Sequence, residues 1–265
     1  MFANMKNELR ACLCLSMIVL NGAMHCAHAE QQEAEATPYR PTVSNPAQLS
    51  APGWLEVEMG WPRIKGGADM QRDSFPVLAK LAFSDNWGIL VGNELLVSRT
   101  DLGNKRYTGL GDTTLLLKHR MPGWNEDNAF GVEAGFKSPT AKDTIGSGKA
   151  DYLINGIYSR DFNENHFDLN LNATYLGAVA AAEGRTQYGW AAALSHNLDD
   201  RWGVFGELSG STRSGTAATA LLMAGASHNY SKRVVFDAGV ASGLNNVSPN
   251  LIIFAGITVL LGRVW

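Results

Sequence analysis

In FDLNLNATY, residues 167–175, apolar and polar side chains take turns. Phe167, Leu169, Leu171, Ala173 and Tyr175 hold the odd places, and Asp168, Asn170, Asn172 and Thr174 the even ones. A period of two puts the two sets on opposite faces of a β-strand. It leaves two readings open. A soluble sandwich turns the apolar face inward. A membrane barrel turns it outward to lipid and lines its lumen with the polar face.

The same alternation starts at Trp54 and runs to the last residue. It predicts twelve strands, at about 54–62, 75–84, 87–98, 110–120, 128–138, 150–161, 166–176, 186–197, 201–210, 217–229, 233–242 and 250–265. TAATALLMAGA (216–226) has helical propensity but falls at strand spacing, so it is read as a strand. Short connections, such as SDN (84–86), NENH (163–166) and LDD (198–200), alternate with long ones, such as SRTDLGNKRYTG (98–109) and SPTAKDTIGSGK (138–149). Outer-membrane barrels show this asymmetry, with tight periplasmic turns and longer external loops. The expected fold class is all-β: a single closed antiparallel transmembrane β-barrel of about twelve strands, wound as an up-and-down meander.

Three regions follow. Residues 1–29 carry Lys6 and Arg10, then the apolar run ACLCLSMIVL (11–20), then small residues ending at Ala29. That order is a signal peptide, and its apolar run is too short to span a bilayer as a helix. Residues 30–53 are polar, contain proline and show no period, so they read as a flexible periplasmic segment. Residues 54–265 are the barrel. Cys12, Cys14 and Cys26 all lie in the leader, so disulfides and thiol chemistry are excluded from the rest. Cleavage would move the net charge from −3 to −4, because Lys6, Glu8 and Arg10 together carry +1. That balance gives no footprint for nucleic acid.

The polar phase decides between sandwich and barrel. It carries Glu56, Glu58, Lys80, Glu94, Asp112, Lys118, Arg120, Glu133, Lys137, Asp151, Asp168, Asn170, Glu207 and Asp237 as expected lumen residues, forming a pore lining or a salt-bridge network. Nine of these are acids, against Lys80, Lys118, Arg120, Lys137 and Arg160 as bases. Burying so many carboxylates in a dry core is costly. A wet or ion-paired lumen avoids that cost, and twelve strands enclose a wider interior than side chains readily fill. Closure in lipid also leaves no backbone group unpaired. Trp54, Trp87, Trp202 and Trp265 at one edge, and Trp61, Tyr152, Tyr175 and Tyr188 at the other, form two expected interface girdles. Arg99, His119, His196 and Arg263 fall on the apolar phase near strand ends, and Asn93 falls on it in mid-strand. A β-bulge near Gly92, or burial against a neighbour, would accommodate Asn93.

The chain shows no catalytic constellation. Ser195 and His196 are adjacent and so face opposite ways on a strand. GLGD (109–112) and GSGKAD (146–151) lack the pattern of a phosphate loop, and DFNEN (161–165) has the length of a turn. No cofactor or metal is expected. The expected partners are outer-membrane lipid and lipopolysaccharide, which the basic outer loops would meet. The barrel-assembly machinery would recognise the terminal strand ending in Trp265, although Arg263 departs from the usual apolar residue there.

RPTVSNPAQLSAPGWLEVEMG (40–60), GLGDTTLLLKHR (109–120) and GWAAALSHNLDDRWGVFGELSG (189–210) resemble the outer-membrane barrel family named for the MetA pathway of phenol degradation. With the strand spacing, the resemblance covers nearly all of the chain after the leader. It implies an outer-membrane channel or transporter for an unidentified small solute, hydrophobic or aromatic compounds among the candidates. The alternatives are a closed structural or adhesive barrel acting through its loops and, behind it, a lipid-modifying enzyme.

Overall fold

The computed structural model describes residues 33–265. The expected signal peptide lies outside them. Ala34–Trp265 form one compact unit. It is all-β, with β1 (Trp54–Lys65), β2 (Gln71–Ala82), β3 (Trp87–Thr100), β4 (Arg106–Gly109), β5 (Thr113–Pro122), β6 (Asn128–Ser138) and β7 (Asp151–Phe162). Then come β8 (Asn165–Tyr175), β9 (Thr186–Asn197), β10 (Trp202–Arg213), β11 (Thr219–Ser231), β12 (Val234–Gly243) and β13 (Leu251–Arg263). Every strand pairs antiparallel with its neighbours, and β1 closes the ring on β13. Twelve strands make the meander. The thirteenth, β4, is a short flap on the end of β3, pairing Arg106 with Thr100.

The wall turns its apolar face outward. Leu171, Ile154, Leu194, Val240 and Leu261 stand exposed on it, whereas Glu56, Glu58, Lys80, Lys118, Glu133 and Glu207 are almost fully buried. For a solvated protein this would be inverted. It is the arrangement required where lipid is the solvent and the polar face encloses the lumen. Among the described residues no helix is long and apolar enough to cross a membrane. Connections at one end are short, as at 83–86 and 163–164. Those at the other run long, as at 139–150 and 176–185. These are called the turn end and the loop end below.

Two departures from simple alternation have local causes. In β2–β3, Ser74 pairs with Val97 but Pro76 pairs with Glu94. Phe75 therefore faces both Leu95 and Leu96, which are exposed side by side. This β-bulge shifts the phase, so Val97 is fully buried and Arg99 reaches Asp69 at 2.9 Å. Asn93 keeps its outward phase. Its Nδ2 donates to Gly111 O (3.2 Å) and Thr113 Oγ1 (2.9 Å), where β3 parts from β5.

Residues 34–53 do not form a separate periplasmic segment. They enter and leave at the turn end, where Ala36 N donates to Lys232 O (2.7 Å) and Gly53 N to Ala82 O (2.8 Å). Between those points the chain loops through the lumen, burying Tyr39, Ser44, Ala47 and Ser50. The reason is volume and charge. A twelve-stranded ring leaves an interior its own side chains do not fill. Its acid excess also attracts backbone N–H donors, which an irregular segment has free to give.

Candidate functional site

The candidate site is the lumen, built in two layers. The deeper layer is held by the internal segment. Glu58 accepts hydrogen bonds from Tyr39 N (2.7 Å) and Arg40 N (3.1 Å), and Glu56 accepts one from Thr37 N (2.9 Å). Lys80 Nζ lies 2.5 Å from both carboxylates and donates to Thr37 O. Across the lumen, Glu207 accepts from Val43 N (3.0 Å), Ser44 N (2.8 Å) and Ser44 Oγ (2.9 Å). Glu133 accepts from Asn45 Nδ2 at 2.9 Å and pairs with Lys118 at 3.1 Å. Lys118 Nζ in turn donates to Pro46 O (2.6 Å).

Two smaller groups complete this layer. The Asn170 amide grips Asn45 as a strand would, accepting from Asn45 N (3.0 Å) and donating to Asn45 O (2.8 Å). Ser159 Oγ accepts from Ala47 N (2.7 Å) and donates to Asp168. Hydrogen bonds to charged groups are each worth about 1.5–3 kcal/mol net, so the segment is anchored mainly by carboxylates.

Tyr39 sits at the centre. Lys80 Nζ and Lys118 Nζ lie 3.8 and 3.9 Å from its ring centroid. Both are cation–π contacts in a desolvated setting, where such pairs are strongest. Burial, reinforced by Glu133, Glu56 and Glu58, raises the Tyr39 hydroxyl well above its ordinary pKa. It therefore stays protonated and donates to Gln48 O (2.6 Å).

The second layer lies nearer the loop end. Lys137 bridges Asp112 (3.0 Å) and Asp151 (2.9 Å), and Arg72 pairs with Glu94 (2.5 Å). Nearer the turn end, Asp237 holds Arg40 through Nε and a second nitrogen, each at 3.2 Å. His166 lies between Asp161 (2.5 Å) and Asp168 (3.1 Å). On the β10–β13 side the lumen turns apolar, with Phe205, Met223, Ala241 and Phe254 in one buried cluster.

Not every residue read from the sequence reaches the lumen interior. Arg160 is exposed, with its guanidinium 6.0 Å from the Phe162 ring, because β7 buries its odd positions. Arg120 lies half-buried near the turn end, where its N–H and C=O bond Asn86. Trp61, Trp87, Tyr152, Tyr175, Tyr188, Trp202 and Trp265 are exposed on the wall. Trp54 is partly covered instead, by Arg233 at 4.6 Å from its ring. His119 stacks on Trp87 at 4.1 Å, and His196 is exposed with Nδ1 at 3.1 Å from Asn165 Oδ1. Reading strand by strand missed Arg40, Tyr39 and Asn45, which have no period to announce them. The only signal for them was the surplus of acids on the lumen phase.

Two cavities flank the internal segment. One of about 600 Å³ opens toward the loop end beside Arg72, Glu94, Asp112 and Lys137. The other, about 420 Å³, lies toward the turn end beside Asp161, His166, Asp168 and Phe205. A closed antiparallel barrel with its apolar face outward is a fold that outer-membrane channels and porins also have. The structure superposes on the COG4313 outer-membrane channel from Pseudomonas putida F1 with a TM-score of 0.64 at 11% identity, covering 81% of this chain and 98% of that one. It superposes on the KdgM porin in complex with disordered oligogalacturonate at 0.55 and 9% identity, covering 77% and 99% of the two chains. For the CymD monoaromatic hydrocarbon channel the values are 0.50 and 8%, covering 81% and 90%. At these identities the likeness is one of fold. No protein-family model matches the chain. No curated protein matches it in sequence.

Proposed function

We propose that the protein is an outer-membrane channel that passes small molecules between the loop end, facing outward, and the turn end, facing the periplasm. The observation that carries this reading is the pair of cavities inside the barrel, on either side of a segment only a few residues thick. A barrel serving only as a scaffold has no need to keep them. Phe205, with Val235, gives the cavity toward the turn end an apolar face, which suits solutes with a hydrophobic or aromatic body. The CymD channel, whose name states a monoaromatic hydrocarbon, supports the same direction, as does the resemblance to the phenol-degradation barrel family.

Outer-membrane lipid and lipopolysaccharide are the proposed surroundings. At the loop end, Arg63 lies 5.1 Å from the exposed Trp61 ring, and Lys105 and Arg106 are exposed, so cations sit where anionic headgroups would lie. The assembly machinery is the proposed reader of β13 and the terminal Trp265. A closed adhesive barrel is the second reading, favoured by the ion pairs and internal segment that fill the lumen. Planar-bilayer recording of the purified protein, with liposome swelling over a panel of neutral, charged and aromatic solutes, separates the two. The channel reading expects a small, reproducible conductance and uptake of compact solutes. A silent protein that swells no liposome would contradict it.

A further inference from the structure

We infer that the side chain of Arg40 is the latch between the two cavities, and that the permeation path runs through the place it occupies. This rests on the channel reading above. Arg40, Pro41 and Thr42 line both cavities, so at this point the partition is a single run of chain.

The wall is shaped to receive this side chain. Gly60 of β1 pairs directly with Gly256 of β13, and Gly256 pairs with Asp237 of β12. A Cβ on Gly60 would lie 2.2 Å from an Arg40 nitrogen, and one on Gly256 would lie 2.3 Å from Nε. Two facing glycines therefore leave a slot, and the guanidinium fills it against Asp237 at 3.2 Å and Ala255 O at 3.3 Å. The rest of the segment is anchored by backbone N–H groups, by the short Ser44 and Asn45 side chains and by buried Tyr39. Arg40 is held at this wall by its own side chain, on a stem with several rotatable bonds. Its side chain can leave the slot while Glu58 still holds Tyr39 N and Glu207 still holds Ser44 N. Opening then needs one rotamer change and one broken ion pair, rather than extraction of the whole segment.

Charge follows from the same placement. The cavity toward the turn end is lined by Asp161, Asp168 and Asp237, with Arg40 and His166 as its basic groups. With Arg40 gone, the remaining field is acidic and favours cations.

The test uses the chain from residue 30 to residue 265 in planar bilayers, with conductance and reversal potential read in a potassium chloride gradient. Arg40→Ala is expected to raise conductance several-fold and shift selectivity toward potassium. Gly256→Ala, which removes no charge, is expected to raise conductance with a smaller change in selectivity. Arg40→Asp combined with Asp237→Arg restores the pair and should return conductance toward the wild-type value. Arg160→Ala, which removes an exposed cation outside the lumen, should change nothing. If wild-type protein conducts and both single variants leave conductance unaltered, the path avoids Arg40 and this inference fails while the channel reading stands. If neither wild type nor any variant conducts, the channel reading itself fails.

Discussion

The barrel wall and the segment inside it are stabilised in opposite ways. The wall repeats one instruction around the ring, apolar out and, except on the β10–β13 side, polar in, and its backbone bonds close within the ring. Residues 34–53 repeat nothing. They hold their place by bonds to Glu56, Glu58, Glu133, Asn170, Glu207 and Asp237, drawn from five different strands. The wall is redundant, so no single side chain decides it. The segment depends on a few buried charges, so single substitutions there act strongly. A wall can thus be written by periodicity while the filling of its interior is written by residues that obey none.

The largest effect is expected at Lys80. Its ammonium neutralises two carboxylates, Glu56 and Glu58, that are themselves almost fully buried. Lys80→Ala would leave both facing one another without a cation, at a cost of about 3–5 kcal/mol. It would also withdraw the donor to Thr37 O and one face of the Tyr39 clamp. Urea unfolding in lipid vesicles should show that loss, together with a rise in conductance. Stability and conductance both at wild-type values would break the contrast between wall and segment.

A smaller effect is expected on the wall. Leu171 is 60% exposed near the middle of β8. If that exposure is to lipid, Leu171→Arg should cost about 2–4 kcal/mol, as for cations at the midplane of other barrels. Leu171→Met should cost close to nothing, because lipid makes no shape-specific demand on the side chain. Vesicle unfolding measures both. A neutral Leu171→Arg would mean that this face meets water and would overturn the orientation of the whole wall.

Much of the wall was legible because a strand shows its two faces directly in the sequence. FDLNLNATY appears as β8, with Asp168 and Asn170 buried and Leu171 exposed. Where the period breaks, legibility breaks too. The bulge at Leu95–Leu96 adds one residue, so the phase of Arg99 could not be read by counting from Val91. RYTG (106–109) is too short to show alternation, and its strand became visible only through its pairing with β3. Arg160, a lumen base on charge alone, sits one place from the buried Ser159 and so faces outward.

The internal segment was not legible for a physical reason. Its conformation is set by donors and acceptors on strands more than a hundred residues away, as with Val43 and Glu207. No local pattern encodes that. The acid excess on the lumen phase did show that something basic, or rich in N–H groups, was missing.

The central claim is that residues 34–53 fold inside the barrel. A disulfide tests it most directly, since every native cysteine precedes residue 33. A Cβ placed on Gly131 would lie 3.5 Å from the Cβ of Ala47, within the range a disulfide spans. Ala47→Cys with Gly131→Cys, folded in outer-membrane vesicles and mildly oxidised, is predicted to yield an internal crosslink between those positions on peptide mapping. Two free thiols after oxidation, in protein that has otherwise folded into the membrane, would contradict the account.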